Sequence, residues 1–185
     1  MDAAMVLFWT KGYHATSLKD LEVTLQMKPG SIYAAFQSKE SLFRATLDRY
    51  AAKMASEMQA VLDTAQSPLT GLRNHLISLA NLAPTDKPST SCMLVKSLLE
   101  VGHVDALRDA VQNHLNRIQI SLTHAVQMAQ NAGELSQSLD CDRVARRLQT
   151  YIFGLKIQAQ RETDPRRMRQ LCEDLATELS QSVAA

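Results

Sequence analysis

The sequence predicts an all-α protein of about nine helices, in which a small three-helix head precedes a larger helical body. Three observations lead there. Apolar residues recur at three- and four-residue spacing almost throughout, without a convincing alternation of the strand kind. Aromatic residues make up only 5% of the chain and β-branched clusters are few, which disfavours strands. Helix start and stop residues also punctuate the chain at intervals that suit nine segments.

The first helix is expected over residues 2–11, with Met5, Leu7, Phe8 and Trp9 as its apolar bulk and Gly12 as its stop. Ser17 is placed to cap the free N–H groups of a second helix, and Asp20 follows in a variant of the capping box. Leu18, Leu21 and Leu25 share one face of that helix, which ends near Gln26. The stretch Met27-Lys-Pro-Gly-Ser-Ile-Tyr-Ala-Ala-Phe36 reads as a third, short helix. Pro29 suits its first turn, where a missing N–H costs nothing, and Ile32 and Phe36 point inward together. Helices over 17–25 and 29–36, joined by a short turn, have the spacing of a helix-turn-helix. Ser38 can cap a long helix over 39–64, marked by Phe43, Leu47, Tyr50, Met54, Met58 and Val61.

Beyond it, Ser67-Pro68 opens a helix over 68–83, and Pro84 to Ser91 is the longest polar, proline-bearing loop. A helix over 91–101 is broken at Gly102, and a long one over 104–131 ends at Asn131-Ala-Gly133. Asp140 or Asp142 starts a helix over 142–161, and Asp164-Pro165 starts the last, over 165–182.

The net charge of +1 gives no global basic field, so a DNA-binding reading has to rest on local features. Residues 1–50 are as balanced, with Lys11, Lys19, Lys28, Lys39, Arg44 and Arg49 against Asp2, Asp20, Glu22, Glu40 and Asp48. No apolar run approaches the roughly 18 residues that span a bilayer. The opening MDAAMVLFW lacks the basic flank of a signal peptide, which predicts mature structure in a cytoplasmic protein with no membrane partner. Cys92, Cys141 and Cys172 are odd in number and far apart, so free thiols are expected. The histidines His75, His103, His114 and His124 form no i, i+4 ligand pair with a partner carboxylate, and neither a metal nor a cofactor is assigned.

The N-terminal residues resemble the TetR family of bacterial transcriptional regulators. The match is carried by Leu7-Phe8, Lys11-Gly12-Tyr13, Thr16-Ser17-Leu18, Met27 to Tyr33, Phe36, Ser38-Lys39-Glu40 and Leu42-Phe43. The resemblance implies a DNA-binding domain at 1–46 and a ligand-binding and dimerisation domain at 47–185, with a homodimer, double-stranded operator DNA and a small-molecule inducer as partners. By family position, Tyr33 and Lys39 would hold phosphates, and Thr16 or Ser17 would touch the DNA backbone. Lys28, Ser31 and Ala34 would face bases from a recognition helix opened by Pro29 and Gly30, whose small residues permit close approach to a groove. Two departures stand out. Glutamine occupies position 26, where the family often has glycine, so a positive φ there would cost roughly 1 kcal/mol. The first helix is also shorter at its start than the family pattern, which implies a missing phosphate contact or a longer natural N-terminus.

In the body, the family's dimer is a four-helix bundle of the last two helices of each subunit. The resemblance thus assigns the stripe Leu148, Ile152 and Leu155, with Gly154 beside it, and the stripe Met168, Leu171, Leu175 and Leu179 to the dimer interface. Met58, Leu62, Leu79, Cys92, Met93, Lys96, Ile118 and Leu122 are expected to line the ligand pocket. Cys92 begins a helix with Lys96 one turn later, a setting in which a thiol can react with electrophiles. The leading expectation is a ligand-responsive repressor, released from its operator by an inducer or by modification of Cys92. The alternative is a TetR-like helical module that binds ligand but not DNA. An enzyme is disfavoured because the G-x-G-x-x-G, P-loop, H-E-x-x-H and G-x-S-x-G patterns are all missing.

Overall fold

A computed structural model describes residues 1–82, 91–101 and 105–184. Every regular element among them is helical: α1 (Asp2–Lys11), α2 (Leu18–Leu25), α3 (Pro29–Phe36), α4 (Lys39–Asp63), α5 (Pro68–Ser78), α6 (Met93–Glu100), α7 (Asp105–Asn131), α8 (Cys141–Arg161) and α9 (Pro165–Ala184). A 3-10 turn over Leu79–Asn81 follows α5, so the segment expected to stay helical to 83 tightens after Ser78. The polar loop beginning at Pro84, the break at Gly102 and His103 lie outside the described residues.

The chain forms two compact units, one of residues 1–54 with 92–115 and the other of residues 55–91 with 116–185. This division differs in kind from the functional domains expected at 1–46 and 47–185, because α6 and the first half of α7 pack with the N-terminal helices. In that first unit an aromatic cluster makes the core. Phe8 meets Phe43 edge-on at 5.0 Å, Tyr13 lies 4.9 Å from Phe43, and Trp9 meets Tyr50 at 5.2 Å. Edge-to-face pairs of this kind add to the burial of large apolar area. His114 of α7 reaches Asp48 of α4 at 3.0 Å, and Arg44 donates to the Ala106 carbonyl at 2.9 Å.

The second unit is built on one apolar cluster. Leu72, Leu76 and Leu79 pack with Leu122, Val126, Leu148, Ile152, Leu155, Met168 and Leu179. Asp140 caps α8 by accepting from the N–H groups of Asp142 and Arg143. Gln130, buried at the end of α7, donates to the carbonyls of Ser136 and Leu139, closing the turn that leads to α8. Cys141 is buried, and its thiol donates to Gln130 Oε1 at 3.3 Å. All three cysteines are free and buried. Burial pushes the Cys172 thiol up to about 11, which favours the neutral thiol at ordinary pH.

Two stability tests follow from these local structures. Gln26 has φ 53 and ψ 39, the left-handed region that an L side chain enters only at a cost. Gln26→Gly is therefore expected to raise stability by about 1 kcal/mol, less the extra chain entropy glycine loses, as read by the urea midpoint at constant m-value. In the second unit, burial holds the His75 imidazole down, at about 4 rather than 6.5, and the Lys156 charge adds to the effect. Above pH 6.5 the ring is neutral in both states; below it, the unfolded chain binds a proton that the folded chain refuses. Stability should thus fall as pH drops from 6.5 to 4, and His75→Phe should flatten that part of the profile in pH-dependent urea titrations.

Candidate nucleic-acid interface

The interface begins with how the chain leaves α1. Gly12 adopts φ 88, a conformation that favours glycine, and its N–H donates to the Phe8 carbonyl. Thr16 is buried, with its hydroxyl on the Gly12 carbonyl, so this candidate braces the loop from inside and does not reach the surface. Ser17 then starts α2 with a complete capping box. Its Oγ accepts from the Asp20 N–H, while its own N–H donates to Asp20 Oδ2 at 2.7 Å. Lys11 donates to the same carboxylate oxygen at 2.6 Å. These bonds hold the Asp20 carboxyl well below the usual carboxylate range, with Lys11 the largest cause.

α2 buries Leu21 and ends at the left-handed Gln26, whose N–H donates to the Glu22 carbonyl. Lys28, in extended conformation, then sits at the N-cap of α3, and Pro29 takes the first turn. α3 has two unlike faces. Ile32 is buried and Phe36 is half-buried, whereas Lys28, Pro29, Gly30, Ser31, Tyr33, Ala34 and Ala35 are all exposed. Tyr33 keeps 46% of its surface in solvent, so it does not pack beneath α4.

Gly30 is informative because the fold does not require it. A Cβ there would meet nothing within 4 Å, and its φ lies outside the left-handed region. Glycine in a helix costs up to about 1 kcal/mol relative to alanine, a cost here with no internal return. A need for outside atoms to come close to the backbone would explain it. Lys39, at the start of α4, lies 4.6 Å over the Tyr13 ring, and burial there pushes its ammonium below the usual lysine range.

The known proteins that this chain resembles fit that geometry. Residues 1–46 match the family described as bacterial regulatory proteins of the tetR family, and residues 68–175 match the tetracyclin repressor-like C-terminal domain. The chain belongs to the TetR family. It is 28% identical to the transcriptional repressor ComR of Escherichia coli over 92% of this chain and 82% of that protein. A TetR-family regulator from Cytophaga hutchinsonii superposes with a TM-score of 0.87 at 22% identity, covering 98% of this chain and 91% of that one. A cysteine-substituted form of the regulator CifR, solved with 26-base-pair operator DNA, superposes with a TM-score of 0.83 at 28% identity over 95% of this chain and 92% of its own. The protein is thus a DNA-binding transcriptional regulator of the TetR type.

In this TetR-family protein the other expected residues fall in distinct places. Met58, Leu62, Leu79, Ile118 and Leu122 come together in the second unit's apolar cluster. Cys92, Met93 and Lys96 belong to the first unit. Cys92 is 3% exposed, and the Lys96 ammonium donates to carbonyls of α1. Of the residues expected at a dimer interface, Leu148, Ile152, Leu155, Met168 and Leu179 are buried within the chain's own core. The partly exposed surface of α8 and α9 carries Gly154, Phe153, Leu171, Leu175 and Ile157, the last 53% exposed. Like Gly30, Gly154 has open space where a Cβ would stand.

Two residues carry polar chemistry that the sequence did not single out. Glu100 accepts from two loop N–H groups, and His75 has a buried Nδ1 without a hydrogen-bond partner among the described residues. Glu100 ends an ordinary amphipathic helix and its partners are 86 and 87 residues away, so no local pattern marks it. Gly30→Ala separates fold from function at α3. The variant is expected to melt higher, by up to about 1 kcal/mol of stability, yet bind DNA more weakly, as read by thermal unfolding beside fluorescence anisotropy with a labelled duplex.

Proposed function

We propose that this regulator is a repressor that binds its operator as a homodimer through α3, in the cytoplasm. A small-molecule inducer in the body, or modification of Cys92, would release it. The observation that carries the DNA contact is the exposed face of α3, where Lys28, Ser31, Tyr33 and Ala34 surround a glycine that the fold does not need. Tyr33 would donate its hydroxyl to a phosphate and Lys39 would pair with another, from a ring contact that fixes its direction. Lys28, Ser31 and Ala34 would meet base edges, alanine offering only a methyl group to thymine.

A second copy of the chain would cover Gly154, Ile157, Leu171 and Leu175, and a two-fold pair of heads suits a palindromic site. The apolar cluster around Met58, Leu62, Leu79, Ile118 and Leu122 supports an inducer of apolar character. Because Cys92 is buried at the N-cap of α6, its modification would require that end of the helix to open. Either event needs only a few kcal/mol of preference for a form whose heads no longer match the half-sites.

The test is binding of the purified protein to DNA from just upstream of its own gene at two salt concentrations. Specific binding should weaken with salt, and Lys39→Ala should lower the slope of log affinity against log salt by about 1. Tyr33→Phe should weaken binding several-fold at either salt, in line with a lost hydrogen bond to a charged group of roughly 1.5 kcal/mol or more. Salt-independent or sequence-blind retention of that DNA would overturn this assignment of the phosphate contacts.

A further inference from the structure

One helix far along the chain is fastened to the start of the helix-turn-helix by two charged side chains. Lys96 and Glu100 lie one turn apart on α6, and so on one face of it. The Lys96 ammonium donates to the carbonyls of Trp9 at 2.8 Å and Thr10 at 2.7 Å. Both carbonyls belong to the last turn of α1, at the negative end of the helix dipole. The Glu100 carboxylate accepts from the Tyr13 N–H at 2.9 Å and the His14 N–H at 2.6 Å. These are consecutive donors of the loop that leads into α2. A Cβ on Gly12 would stand 2.7 Å from Glu100 Oε2, so the glycine both turns the loop and admits the carboxylate.

Each charge thus meets the backbone groups of opposite polarity, and the pair grips the junction from both sides. The gripped loop goes on to position the DNA-contacting helices. The Tyr13 ring touches Phe43 and lies under the Lys39 ammonium, the Thr16 hydroxyl holds the Gly12 carbonyl, and Ser17 caps α2. We propose that Lys96 and Glu100 are positioning residues for DNA binding, setting the orientation of α2 and α3 from α6 without touching DNA themselves. The proposal rests on the reading of α3 as the DNA-contacting helix.

The test uses the full chain, with Lys96→Met and Glu100→Gln, which keep side-chain length. Residue-resolved hydrogen exchange is measured beside binding to duplexes that the wild type retains from a random-sequence pool. In Glu100→Gln, the Tyr13 and His14 amides should exchange at least about tenfold faster, while amides of α8 stay as protected as in the wild type. Affinity for the retained duplexes should fall about 5- to 150-fold in each variant, the range of a typical coupling between sites. The salt slope should stay that of the wild type, because no phosphate contact is removed. A merely structural role would instead lower protection across the whole first unit and leave the affinity of the folded fraction unchanged, which would overturn the proposal. Unchanged exchange at Tyr13 and His14 would overturn it as well. If the wild type retained no duplex, the DNA reading itself would fall and the proposal with it, an outcome distinct from equal binding by all variants.

Discussion

The way the backbone leaves α1 at Gly12 constrains the rest of the first unit. A positive φ turns the chain so that Tyr13 and His14 present successive N–H groups beside the carbonyls of Trp9 and Thr10, in the last turn of α1. The unit meets both sets of backbone groups with a charge of opposite polarity. It does so from α6, with Glu100 and Lys96. Once the loop is held, Tyr13 can join the Phe8–Phe43 cluster, and Ser17 and Asp20 can begin α2.

The second unit answers a different demand. Its α8 carries apolar surface that the core does not cover, and α9 keeps Leu171 and Leu175 only partly buried. One face of each, through Leu148, Ile152, Leu155, Met168 and Leu179, seals the chain's own interior. The adjacent face keeps Ile157 and Gly154 in solvent. Gly154 and Gly30 share a physical oddity, since both weaken a helix and neither is required by neighbouring atoms of the chain. Cost without internal return at two separate surfaces agrees with partners that approach the backbone closely at both.

Polarity inside the units is managed sparingly. Gln130 spends its amide on the turn before α8, and Glu134 accepts from the Leu69 N–H at the start of α5. His75 adds a titratable group to this interior, its Nδ1 sealed from water in the field of the buried Lys156. Such a group is tolerable only while neutral, which ties the unit's stability to pH above the range where the unfolded chain takes up the proton.

The sequence by itself determined the local events. Helix spacing, the stop at Gly12, the capping box of Ser17 and Asp20 and the short helix opened by Pro29 all depend on residues within about one turn of one another. The family resemblance of residues 3–50 rests on the same local residues. Tertiary structure alone decided which side of an apolar stripe faces inward, so Leu148 and Leu155 are core while Gly154 is not. It also decided that Lys96, one turn from Cys92, donates hydrogen bonds to carbonyls of α1, and that Glu100 holds the loop before α2. Periodicity fixes a residue's face on its own helix. It carries no information about which backbone groups, 86 or 87 residues away, will need a charge when the helices pack.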